Sequence, residues 1–146
     1  VVVMFAGLAI AASTAFADTQ VFQSIASEAD AINREAAKIS RELKSKRFDA
    51  LAANSRIEQV GKMITTLRAT VDGFDSNGAA NLTGKQRDDW EKVKLKAQLL
   101  SVVYDNKQSA MADGLNNKNR QSVRAHAEGI ALRAEMLKKT ASQLGS

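Results

Sequence analysis

His126 is the one imidazole in a chain of 146 residues that contains no cysteine, so strong ligation of a transition metal or a haem iron would have to begin there. Bundle haem proteins hold the iron between one histidine and one methionine on facing helices, and Met111 or Met63 could complete such a pair with His126. A haem- or metal-binding four-helix electron carrier is therefore one reading of the chain. The competing reading is structural, because methionine on a helical seam is ordinary core filler and a lone histidine at a seam edge is ordinarily solvated. On that balance we expect no cofactor and no metal site, with His126 and Met111 kept as the haem alternative.

Carboxylates form a second set. Glu28, Glu35 and Glu42 recur every seven residues, which places them on one flank of a helix. A row of carboxylates inside a bundle can hold two metals, but that arrangement needs a Glu-x-x-His motif on two helices, and none is present. Their expected role is pairing across a groove with Arg124, Arg133 and Lys138, or with Lys94 and Lys96. No nucleophile elbow, phosphate-binding loop or second histidine accompanies them, so no catalytic residue is assigned and no enzyme is expected. Asn81-Leu82-Thr83 matches a glycosylation sequon, which has meaning only in a eukaryotic secretory pathway.

The elements that would position these side chains are helices. The chain has no proline, where ordinary usage of about 5% would give roughly seven. Its apolar residues recur in steps of three and four along four stripes. They run Val21, Ile25, Ala29, Ile32, Ala36, Ile39, Leu43; then Ile57, Val60, Ile64, Leu67, Val71, Phe74; then Trp90, Val93, Ala97, Leu100, Tyr104, with Lys107 at the next place, and Met111; then Val123, Ala127, Ile130, Ala134, Leu137, Ala141, Leu144. This period excludes strands, whose side chains alternate every second residue.

Punctuation separates the stripes. Ser55-Arg56-Ile57-Glu58 reads as a capping box, with Asp49 as an earlier alternative, so the second helix begins between 50 and 56. Asn77 or Gly78 could end it in the left-handed conformation, Thr83 and Gln86 open the third helix, and Gly114-Leu115 suggests its glycine stop. The predicted helices cover about 19–47, 50–75, 84–113 and 118–144. Short links between helices of matched length predict an all-α, up-down-up-down antiparallel four-helix bundle with heptad, coiled-coil-like packing, as monomer or homodimer.

Residues 1–17 are uncharged and end Ala15-Phe16-Ala17, an apolar run followed by an A-x-A cleavage site. They read as a signal peptide whose basic n-region lies before residue 1, with a bundle domain over 18–146; an uncleaved anchor is the alternative. The expected location is periplasmic or secreted, and without cysteine the exported domain must be stabilised by packing alone.

The net charge is +5, and from residue 117 onward there are six cations against two carboxylates. In an up-down bundle the end of the first helix and the start of the fourth share a pole. That would gather Arg41, Lys44, Lys46, Arg47, Lys118, Arg120 and Arg124 at one end, with Asp72, Asp75, Asp88, Asp89 and Glu91 at the other. Cations at a helix N-terminus oppose the macrodipole, so helix preference does not account for those on the fourth helix. The expected partner is an anionic polymer, a membrane surface or an acidic protein, and nucleic acid is not expected.

Leu82-Thr83-x-x-Gln86 is similar to the LTxxQ signature of small periplasmic stress chaperones, which are also helical, basic and exported. The resemblance covers five residues and one copy of the motif, where that family typically carries two. It implies a chaperone-like alternative to the binding or structural module that the charge pattern suggests.

Overall fold

Four stripes of apolar residues with no helix breaker between their ends fold as four helices. The computed structural model describes residues 17–146 with their side chains, and its helices are α1 (Val2–Glu42), α2 (Ala50–Asn77), α3 (Gly84–Asn116) and α4 (Arg120–Leu144), with one 3-10 turn at Ala79–Asn81. Among the described residues there is no strand, and no helix is long and apolar enough to cross a membrane. The expected signal segment lies, but for Ala17, outside the described residues.

Contacts between elements run in opposite directions along each neighbouring pair. Arg56 of α2 reaches Glu42 and Glu35 of α1, while Thr70, a further four turns along α2, meets Glu28. Lys138, Ala131 and Glu128 of α4 bond Asp30, Asn33 and Ser40 of α1 in that reversed order. Across α2 and α3, Phe74 packs on Trp90 and the Tyr104 hydroxyl donates to the Ile57 carbonyl at 2.8 Å. The fold is an antiparallel helical bundle.

Every apolar position of the second and fourth stripes is buried, as are Trp90, Val93, Ala97, Leu100, Tyr104 and Met111 of the third. Lys107 interrupts that stripe and is exposed. The first stripe differs from the expectation at one end, where Phe22 is buried and Val21 only half-buried. A step of three from Phe22 to Ile25 keeps the alternation that Val21 would break. Phe22, Phe74 and Trp90 then close one end of the core with ring centroids 4.8–6.0 Å apart, two of the three pairs edge-to-face.

The helix ends correct several expected signals. α1 stops at Glu42 rather than near 47, because Leu43, just past its end, is the last buried residue of the stripe and Lys44-Ser45-Lys46-Arg47 has no apolar side chain to bury. Asp49, not Ser55, caps α2, its carboxylate accepting from the amides of Leu51 and Ala52. Gly78 ends that helix at φ −123°, so no left-handed residue is needed there. Thr83 holds the capping position of α3 without a side-chain bond, and the turn is made by Gly84 at φ +51°, a conformation that a β-carbon would strain.

Gly114 is not a stop signal either. α3 continues to Asn116, and Lys118 takes the left-handed conformation at φ 58° in the link to α4. Gly114 serves close packing instead: a β-carbon there would sit 2.6 Å from a Val123 methyl of α4.

Candidate anion-binding pole

The cations expected at one end of the bundle are brought there by the two links that the fold places side by side, 43–49 and 117–119. Arg120 joins them. Its guanidinium lies 4.6 Å over the Phe48 ring, and its Nη1 donates to the Ser45 carbonyl at 3.1 Å. A cation over an aromatic face combined with a backbone bond fixes both links against each other, so Arg120 is a structural clip as well as a charge. Phe48 was not singled out in the sequence, because its partner lies 72 residues away.

Around that clip, Arg41, Lys44, Lys46, Arg47 and Lys118 are exposed, and none has an ion-pair partner among the described residues. Arg124 is different. It is half-buried and lies 3.5 Å from Glu128, whose carboxylate also accepts from the Ser40 hydroxyl at 2.6 Å. That hydroxyl bond first, and the Arg124 and Lys44 charges after it, hold Glu128 below the ordinary glutamate range. The nearby carboxylates are largely engaged in the fold: Asp49 caps α2, and Glu42 binds Arg56 at 2.9 Å. Asp113 is exposed at the same end.

Arg56 is the residue the sequence reading missed. It receives two of the three glutamates of α1, lying 2.6 Å from Glu35 and 2.9 Å from Glu42, while Glu28 accepts from Thr70 and Ser24. These glutamates therefore face α2, not the cations of α3 and α4 assigned to them. Arg124 and Lys138 find Glu128, Asp30 and Glu135, Lys94 finds Asp75 and Glu91, and Arg133 donates to the Gly129 carbonyl. Burial pushes the Glu35 carboxyl up, and hydrogen bonds from Arg56 and Lys38 outweigh it and hold it down. The antiparallel register sets Arg56 level with the end of α1, but the rotation that turns Glu35 and Glu42 toward it leaves no mark in the spacing.

A cavity of about 240 Å³ opens beside the pole, lined by Glu42, Ser45, Arg47, Phe48, Asp49, Ala52 and Arg56. Two carboxylates and two guanidinium groups leave it without an excess of either sign. The anion-attracting groups are thus the exposed cations around the cavity. Comparison with known proteins adds no template for this arrangement. No family profile matches the chain, and no curated protein or solved structure proved similar to it.

At the far pole the acids other than the exposed Asp88 have cations of their own. Asp89 binds Lys85 at 2.5 Å and Lys92 at 2.8 Å, Asp72 lies 3.6 Å from Arg68, and Asp75 lies 3.0 Å from Lys94. The charge asymmetry therefore rests on unpaired cations at one pole more than on free acid at the other.

The haem alternative places its residues apart in character. Met111 is a buried core side chain, and His126 is half-buried with Nε2 3.4 Å from the Ser122 hydroxyl. Neither lines the cavity beside the pole. Among the described residues no three histidine, cysteine, aspartate or glutamate side chains gather as a metal site. In the Leu82-Thr83-x-x-Gln86 segment, Leu82 is buried in the core and Gln86 is exposed.

Proposed function

We propose that the chain is an exported, non-catalytic bundle that binds an anionic component of the cell envelope, or an acidic protein, through the pole of Arg41, Lys44, Lys46, Arg47, Lys118 and Arg120, with Arg124 behind it. The observation that carries this reading is the set of five exposed cations without ion-pair partners among the described residues, drawn from the last turn of α1 and from two separate links that Arg120 clips together. Arranging them has a cost. Like charges repel, and Lys118 and Arg120 stand at the N-terminal end of α4, where the helix dipole disfavours cations by about 0.3–1 kcal/mol each. A surface kept for solubility alone would not need them converged.

Export is supported by the apolar, uncharged run that closes on Ala15-Phe16-Ala17. Coiled-coil-like crossing of the helices belongs to the same reading, supported by buried positions that alternate in steps of three and four. The pole is tested by retention on a sulfated polysaccharide matrix under a salt gradient. Joint substitution Lys44→Glu and Lys118→Glu should abolish most retention, whereas Lys85→Glu with Arg87→Glu, the same change of charge at the far pole, should leave most of it. Equal loss from both sets would reduce the effect to net charge and overturn the reading.

A further inference from the structure

The pole carries an apolar turn beside its cations. In the link 43–49 the residues Lys44-Ser45-Lys46-Arg47 are all exposed, and α2 then opens with Ala50, Leu51 and Ala52, which are exposed as well. A run of three exposed apolar residues works against solubility unless it has a use. Leu51 is 82% exposed, more than any other large apolar side chain among the described residues, and it follows Arg47 by four residues. The other exposed side chains of that kind lie on α3 and α4.

Cations prevail around this turn. From Arg41 to Ala52 there are four cations and two carboxylates, and both carboxylates are engaged, Glu42 with Arg56 at 2.9 Å and Asp49 with the amides of Leu51 and Ala52 that it caps. Glu58, seven residues further along α2, accepts from Asn54 at 3.0 Å. The second link adds Lys118 and Arg120, with the exposed Asp113 before them.

We infer that this end of the bundle docks on an anionic lipid surface, Leu51 entering the headgroup and upper acyl region while Lys44, Lys46, Arg47 and Lys118 meet the phosphates. The inference rests on reading the pole as an anion-binding end, and it names the partner. Attraction of clustered lysine and arginine to anionic lipid and burial of a protruding apolar side chain act together at such a surface. A hydrophilic polyanion would meet the cations and leave Ala50-Leu51-Ala52 in water. An acidic protein is disfavoured by area: four helices packed about 8–10 Å apart present an end of roughly 400 Å², about half of the ~800 Å² that each partner of a standard protein interface covers. A second copy of the chain would set unpaired cations against one another. A lipid surface meets none of these objections, because its headgroups move laterally to the cations that they neutralise.

The test sets vesicles beside a polymer. Binding is measured by co-sedimentation with vesicles of phosphatidylglycerol and phosphatidylcholine in equal parts and of phosphatidylcholine alone, and by retention on the sulfated polysaccharide matrix. Wild-type protein should bind the anionic vesicles and not the neutral ones. Leu51→Gln keeps every charge and should weaken vesicle binding about fivefold or more, while retention on the polysaccharide and the thermal unfolding curve stay unchanged because the side chain is exposed. Lys44→Glu with Lys118→Glu should abolish most of both kinds of binding.

The absence of cysteine allows a second readout, a single environment-sensitive dye at Ala50→Cys compared with one at Thr66→Cys further along α2. On anionic vesicles its emission should shift to the blue at position 50 and not at 66. If the double charge reversal binds both materials as wild type does, the reading of the pole falls and the inference falls with it. If that variant loses both while Leu51→Gln binds vesicles like wild type, or if wild type is retained by the polymer and ignores the vesicles, the pole stands as an anion site and its lipid partner is overturned. Equal dye shifts at both positions would overturn it as well.

Discussion

Asp75 and Trp90 show how much one pair of residues settles. Trp90 is the only tryptophan in the chain, and its indole N–H donates to Asp75 Oδ1 at 2.9 Å while Lys94 approaches the same oxygen at 3.0 Å. The indole bond first, and the lysine second, hold the Asp75 carboxyl below its ordinary value. A carboxyl depressed in the folded state stabilises the fold above its unfolded value of about 3.9, and that contribution is lost as pH falls through the lower, folded value. Tryptophan emission should therefore titrate on the acid side with a midpoint below about 3.9, and Asp75→Asn should remove that transition; a midpoint at or above 3.9 would contradict the assignment.

What was legible at this scale follows from the same chemistry. The absence of cysteine and the single histidine limited metal chemistry before any fold was known, and the cationic residues of the pole were identified by charge alone. Pairing was not legible. Which cation meets Glu35 depends on the rotation of α1 against α2, a fraction of a helical turn that spacing within one helix does not specify. The partners of Arg120, a ring and a carbonyl in a preceding link, leave no charge pattern to read.

At the scale of the helices, periodicity identified most buried apolar positions, because a side chain facing a helical core must recur with the turn of the helix, but it passed over Ala53, Leu115 and Ala131. The error at Val21 was one of phase, and the neighbouring Phe22 restores the alternating steps. Termini were less legible. Serine, threonine and glycine at plausible places suggested caps and stops, yet Ser55 lies inside α2, Thr83 makes no capping bond and Gly114 lies inside α3.

A glycine in a helix can mark an end or a close neighbour, and only packing distinguishes them. Gly114→Ala should destabilise the protein by about 1–3 kcal/mol, because the new methyl meets Val123 in a packed contact. Gly73→Ala should stabilise it by about 0.5–1 kcal/mol, since nothing lies within 4 Å of the added carbon and the helix is relieved of a flexible residue. Urea unfolding of the two variants measures both; destabilisation of equal size would refute the distinction.

For the whole molecule, the bundle sets two links side by side at one end, and that arrangement concentrates positive charge with few free carboxylates. The sequence indicated the polar concentration through the imbalance after residue 117. It did not indicate that exposed leucines of α3 and α4 share one side, because they are separated by some 30 residues and become neighbours only when the hairpin closes. Binding to the pole should be steeply salt-dependent: four contacts to a phosphate-like polyanion imply a loss of roughly a hundredfold in affinity between about 50 and 200 mM salt.

The location of that binding is the central claim, and amide chemical-shift mapping during titration with a soluble sulfated polysaccharide tests it most directly. The account predicts salt-reversible shifts confined to residues 41–48 and 117–124. Shifts centred on residues 85–92, or spread evenly over the helices, would contradict it.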